Sequence, residues 1–197
     1  MPELLLVLAG YLWGGIPTAD YLARIRGVDL REAGSRNPGA NNARRLGGAG
    51  LGAAVLVLEM AKGALAAQAG WALAGDVGAA LTGLAAIAGN VYNPYFRGRG
   101  GKGLGITAGV TLLTWPLGLL VVAAVLALGL AVFRASGKAT LLALTAYVLF
   151  ASVWAWWGLP RAWGLQPALP LVAFAVGVTV LISPKALNDA LHPMDAG

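Results

Sequence analysis

Along the 197 residues, long apolar runs alternate with short polar, glycine-rich stretches, and the runs recur from one end of the chain to the other. A bilayer core about 30 Å thick takes about 20 apolar helical residues to cross. On that measure the sequence predicts helices over 3–24, 47–72, 77–95, 103–115, 117–134, 139–158 and 168–186. The fourth is short, because Trp115-Pro116 ends it after about 13 residues, or roughly 20 Å of helix. The glycine-rich stretch before it is expected to dip into the membrane, where irregular backbone survives only when buried in protein or lining a watery cavity. The expectation is an all-α integral membrane protein with seven transmembrane helices. It forms a single membrane domain over 1–197, with no removable leader at its front.

Composition strengthens that picture and narrows the chemistry. The chain is 58% hydrophobic and 11% charged, where a soluble globular domain carries about 25% charged residues. With no cysteine there is no disulfide framework, thiolate nucleophile or cysteine metal site. His192 is the one histidine, which argues against a histidine metal cluster or a Ser-His-Asp triad. No metal and no cofactor are expected.

The cations set an orientation. Arg24, Arg26, Arg31, Arg36, Arg44 and Arg45 follow the first helix; Arg97, Arg99 and Lys102 follow the third; Arg134 and Lys138 follow the fifth; Lys185 lies in the tail. The opposite face holds Arg161, so the positive-inside rule places the amino terminus outside and the basic loops in the cytoplasm. Trp71, Trp115, Trp154, Trp156, Trp157 and Trp163 fall near the outer interface as an aromatic belt, with Trp13 apart from it. The net charge of +6 is thus an orientation signal, and nucleic acid is not an expected partner.

Two cytoplasmic loops, 25–46 and 96–103, carry more than orientation requires. The first contains GSRNPGANNARR, whose proline, glycines and asparagines favour turns. Its guanidinium groups suit bidentate contact with phosphate, and its amides and hydroxyl suit orientation. The second, FRGRGGKG, lets backbone N–H groups approach an anion, adds the Lys102 charge, and leads into the positive end of a helix. Together they would clamp a small phosphorylated substrate at the membrane surface. Gly98, Gly100 and Gly103 spell a dinucleotide fingerprint, but they follow a membrane helix rather than a strand. A nucleotide P-loop fails because Phe96 replaces its first glycine and Gly103 its Ser or Thr. The polar residues cluster on one side and not at the bilayer midplane, which disfavours a transporter.

Other polar residues admit two readings. Glu59 and Lys62, three apart on one face of the second helix, form a structural ion pair or lend Lys62 to the substrate. Asp20 orients a loop arginine or reaches water, and His192 reads as a solvated tail residue. Gly101, Gly105 and Gly109 have small-xxx-small spacing, which lets the fourth helix pack closely.

The segments GYLWGGIPTADYLAR, GVDLREAGSRNPGANNARRLGG, EMAKGALA and NPYFRGRGGKGLGITAG, in this order, resemble the bacterial glycerol-3-phosphate acyltransferases of the PlsY type over nearly the whole chain. The resemblance implies acyl transfer from acyl phosphate to glycerol 3-phosphate, giving lysophosphatidic acid in phospholipid synthesis. It also implies a multi-pass protein of the bacterial inner membrane, among membrane lipid, with its active site facing the cytoplasm. Ser35, Asn37, Gly39, Asn42 and Arg45 correspond to its first motif and Gly100, Gly101, Lys102 and Gly103 to its glycine loop. Lys102 and the glycine amides would hold a phosphate, and Ser35, Asn42 and Arg45 would place the other phosphate or the glycerol hydroxyls. Ser35 and Lys102 are the catalytic candidates; Lys62, Asn90 and Asn188 complete the substrate-binding set. The chain departs from the family pattern with Arg36 for glycine, Asn41 for threonine, Asn90 for histidine, and Pro184-Lys185 for Arg-His. These departures leave an alternative: a relative that binds a phosphorylated lipid precursor without acylating it, or that acylates another polyol phosphate.

Overall fold

A computed structural model describes residues 2–159 and 168–192, and the secondary structure in these segments is helical throughout. Its elements are α1 (Pro2–Gly15), α2 (Thr18–Ile25), α3 (Ala40–Val91), a 3-10 turn over Pro94–Phe96, α4 (Leu104–Thr114), α5 (Pro116–Phe133), α6 (Ser136–Trp156) and α7 (Ala168–Leu191). The chain divides into two compact units, Met1–Val110 and Thr111–Gly197, with α4 running across the division.

In the first unit the expected helix over 3–24 is two helices. Pro17 lacks an N–H and pushes the residue before it away from helical backbone, so α1 stops at Gly15 and α2 restarts at Thr18. The expected helices over 47–72 and 77–95 are joined in α3, whose 52 residues would extend about 78 Å if straight. They are not straight: backbone angles leave the helical region at Gly48, Ala74 and Gly75. A Cβ on Gly70 would overlap the carbonyl of Gly78, although residues eight apart in a straight helix are about 12 Å apart along the axis. The chain therefore doubles back at Ala74-Gly75. This long α3 contains both expected helices. α3 also begins earlier than expected, at Ala40, so the second half of the polar GSRNPGANNARR run is helix.

Four stretches among the described residues are long and apolar enough to cross a membrane: Ala40–Phe96, Pro116–Phe133, Ser136–Trp156 and Leu171–Leu191. With 14 and 11 residues, α1 and α4 are shorter. Close backbone approaches hold the first unit together. A side chain on Gly14 would meet Ala86, one on Gly89 would meet Tyr11, and one on Gly109 would meet the carbonyl of Met60. The last contact matches the close packing expected of the Gly101/Gly105/Gly109 series. Below these, Ala19, Ala23, Leu30, Ala43, Leu51 and Val55 make a buried cluster that seats α2 and the first loop on α3.

In the second unit α5 packs on α6 and α6 on α7. Trp115, expected in an aromatic belt, is fully buried instead, with its ring centroid 5.7 Å from Tyr147 and 5.9 Å from Phe150. Trp71, Trp156 and Trp157 are exposed; Trp163 lies outside the described residues. The last helix runs to Leu191 rather than 186, carrying Pro184 within it and making helical what the sequence suggests as a tail.

Candidate functional site

The first loop folds around one side chain. Asn42, on the opening turn of α3, is 1% exposed. Its Nδ2 donates to the carbonyls of Leu30 (3.0 Å) and Ala33 (3.1 Å), and its Oδ1 accepts the Ser35 N–H at 2.9 Å. All this capacity goes to shaping the loop, so Asn42 serves the site by holding Ser35 in place. Ser35 is half-buried, and its hydroxyl has no hydrogen-bond partner among the described residues. Gly39 sits at the N-cap of α3 in extended backbone. Arg45 is exposed on the second turn of that helix, with no hydrogen bond to protein among the described residues. Arg36 has φ 52°, in the left-handed region that glycine adopts freely and other residues rarely do. Its side chain is exposed. A glycine at this place, as in the resembled family, is what the backbone would favour.

The glycine loop is tied to the end of α3. The N–H of Gly101 donates to the carbonyl of Asn90 at 3.1 Å. A Cβ on Gly100 would overlap that same carbonyl, and Gly103 has φ 80° just before α4 begins. These positions take glycine for steric and conformational reasons together. Lys102 is half-buried between the buried Gly101 and Gly103. Upstream, Asn93 pins the loop to α1 by donating to the carbonyl of Gly15 at 2.7 Å, and its Oδ1 accepts the N–H of Tyr95 at 2.9 Å. Phe96 also lines a cavity of about 300 Å³ with Ile16, Pro17, Tyr21 and Tyr95.

The two loops meet at Gly101. A Cβ built there would find Asn90 Oδ1 and the carbonyl of Pro38 at 3.5 Å and Asn37 Oδ1 at 3.8 Å. Asn37, Gly39, Asn90, Gly100, Gly101, Lys102 and Gly103 are thereby gathered in one neighbourhood. Behind it lies a polar network inside the helices. Glu59 Oε1 accepts from Lys62 Nζ (2.9 Å) and Thr18 Oγ1 (2.5 Å), and Oε2 accepts from Asn90 Nδ2 (2.6 Å). Lys62 also donates to the carbonyl of Ile16 at 2.9 Å. Glu59 and Lys62 are 7% and 4% exposed, so the pair has the form of a structural ion pair.

Asn188 belongs to the second unit, exposed near the end of α7, where its carbonyl accepts the N–H of His192 at 2.9 Å. His192 is exposed as expected. Asp20 takes the loop-orienting alternative: it forms a salt bridge with Arg31 at 2.8 Å. Sequence reasoning missed Arg31, counted only as a topology cation, and Asn93. The Asn-Pro dipeptide was the available signal for Asn93, since Asx turns favour it.

The structure is a helical protein of apolar spans in which a glycine loop carrying Lys102 adjoins Asn37 and Pro38 of the first loop. The comparisons carry this to a family. The family described as glycerol-3-phosphate acyltransferase matches residues 4–188. A glycerol-3-phosphate acyltransferase of Anaeromyxobacter sp. (strain Fw109-5) is 38% identical over 176 residues, covering 86% of this chain and 87% of the relative. One from Myxococcus xanthus (strain DK1622) is 42% identical over 141 residues, covering 70% and 73%. The crystal structure of PlsY (YgiH), an integral membrane glycerol 3-phosphate acyltransferase, in its glycerol 3-phosphate form matches with a TM-score of 0.78 and 29% identity over 98% of this chain and 94% of that one. Its lysophosphatidic acid form matches with the same TM-score and 27% identity, over 98% and 93%. The chain belongs to the glycerol-3-phosphate acyltransferase family. It is an integral membrane enzyme of lipid metabolism that acylates glycerol 3-phosphate.

Proposed function

We propose that the enzyme takes its acyl group from acyl phosphate and transfers it to glycerol 3-phosphate between loops 34–45 and 100–103, releasing lysophosphatidic acid into the membrane. The observation that carries this reading is the convergence on Gly101, where Asn37 and Pro38 of the first motif stand against the glycine loop. Lys102 and the amide of Gly103 hold one phosphate by charge and by a backbone N–H at the start of α4, while the amides of Gly100 and Gly101 shape the loop by donating to the carbonyls of Gly98 and Asn90. The Arg45 guanidinium and the Ser35 hydroxyl, both without hydrogen-bond partners among the described residues, place the other phosphate and the glycerol hydroxyl. Asn37 stands beside Gly101 at the meeting of the two loops.

Little acid-base equipment is needed for this transfer. An acyl phosphate is already activated and its phosphate leaves readily, so the protein's task is to bring hydroxyl and carbonyl together and to stabilise the developing oxyanion. The hydroxyl oxygen forms the new ester bond, the bond from the carbonyl carbon to the phosphate oxygen breaks, and inorganic phosphate departs. The hydroxyl proton passes to a substrate phosphate oxygen. In the full topology we infer, the whole chain is one membrane domain of seven helical passes, with the amino terminus outside and the site facing the cytoplasm at the bacterial inner membrane. The short α1 and α4 count as passes.

The test is purified protein with acyl phosphate and a panel of phosphorylated acceptors, read by mass spectrometry. Lysophosphatidic acid from glycerol 3-phosphate is the expected product. Lys102→Met should lower the rate about 100-fold or more at nearly unchanged thermal stability. Wild-type turnover in that variant would reduce the loop to an anchor and remove the proposed site.

A further inference from the structure

Arg31 lies in the first loop, yet its surroundings differ from those of a topology cation. Nε donates to both carboxylate oxygens of Asp20 at 3.1 Å and Nη2 to Oδ2 at 2.8 Å. Asp20, on α2, is 3% exposed. Nη1 donates to the carbonyl of Arg99 at 2.6 Å, and the guanidinium carbon lies 3.7 Å from the centroid of the Phe96 ring. One planar group thus engages α2 through its inner edge, and the second loop through its outer edge and one face. The two residues it holds there bracket Arg97 and Gly98, both at positive φ, and the next residue along is Gly100. On the first loop, Asn37 and Pro38, which face Gly101, follow Arg31 by six and seven residues.

We propose that Arg31, aligned by Asp20, is a positioning residue that sets the gap between the two loops and with it the fit of glycerol 3-phosphate. It touches no substrate; it acts through Phe96 and Arg99. The inference rests on the reading above, in which these loops hold the acceptor. An ammonium cannot replace the group, because a lysine has neither a planar face to stack nor a fork for two simultaneous edges. Misplacement of reacting groups by about 1 Å can cost about 100-fold in rate. Here the misplaced element is the binding loop, so the loss should fall on acceptor affinity.

The experiment compares the full-length wild type with Arg31→Lys, Asp20→Asn and the double variant. Each is assayed over ranges of both substrates, with melting temperature measured in parallel. Each single variant should raise KM for glycerol 3-phosphate about tenfold, leaving KM for acyl phosphate within about twofold. The double variant should be no worse than the poorer single one, because two residues acting as a unit are non-additive. An unchanged acceptor KM in Arg31→Lys, or equal rises for both substrates, would overturn the inference. If that variant does not fold, Phe96→Leu decides: it leaves the ion pair in place, and an acceptor KM equal to wild type again overturns the idea, against an expected rise of about threefold. Absence of turnover in the wild type would strike the functional reading instead. Calorimetric binding of glycerol 3-phosphate to wild type and Arg31→Lys then decides this inference alone, weaker binding to the variant supporting it and equal binding sinking it.

Discussion

Asn90 Nδ2 stands 2.6 Å from Glu59 Oε2, a contact that joins the last turn of α3 to a carboxylate buried between helices. The same residue's carbonyl receives the Gly101 N–H. Its side chain is therefore an anchor for the residue that holds the glycine loop. Histidine at this place could donate the same hydrogen bond. Asn90→His should consequently keep activity within about threefold, whereas Asn90→Leu loses a hydrogen bond to a charged group, worth about 1.5–3 kcal/mol, and should lower both stability and rate. Initial rates and melting temperatures check both. A large, pH-dependent gain on Asn90→His would show instead that the position wants a proton carrier.

The Glu59–Lys62 pair predicts an asymmetry. Lys62→Met strands a buried carboxylate and should destabilise by about 3–5 kcal/mol, even though Thr18 and Asn90 still donate to it. Adding Glu59→Gln to that variant should recover much of the loss, since no charge then stays buried. Denaturation of the four proteins in detergent measures this cycle. Equal additive losses would mean the two residues do not act as a pair.

Arg36 gives a prediction of the opposite sign. Left-handed backbone costs a non-glycine residue about 1–2 kcal/mol, while glycine's extra freedom in the unfolded chain costs about 0.5–1 kcal/mol. Arg36→Gly should then stabilise the protein by a few tenths to about 1 kcal/mol. With its side chain exposed, the turnover should change little. A lower melting temperature would show that the arginine makes a contact worth more than its strain.

Orientation can be measured directly, because the chain has no cysteine of its own. A cysteine placed by Ala162→Cys should react with an impermeant reagent from outside, and a reporter fused after Gly197 should be cytoplasmic. A reporter active only outside would exclude the seven-pass topology.

Much of the helical layout was written in hydropathy: each apolar run became helix, and the turn at Ala74-Gly75 falls in the gap between two expected spans. Hydropathy is blind to a break inside an apolar run, so it passed over Ile16-Pro17 although the proline was in view. It also missed the helical stretch over 40–47, which the break at Gly48 divides from the expected helix. Asn41 and Asn42 look like turn residues, yet Asn42 is helical and buried because Leu30, Ala33 and Ser35 satisfy its amide. The glycine loop was legible because its chemistry lies in consecutive residues. The Asp20–Arg31 pair was less so: eleven residues and a helix end separate the partners, and local spacing does not single out this arginine from its neighbours.

Phe96 couples two chemically unlike surroundings. The ring lies under the Arg31 guanidinium and also forms part of the wall of the cavity bounded by Ile16, Pro17, Tyr21 and Tyr95. One side chain thus belongs both to the ionic contact between the loops and to the wall of the apolar hollow. In an integral membrane enzyme that acylates glycerol 3-phosphate, a change at this single ring would be felt by the polar loops and by the apolar wall at once.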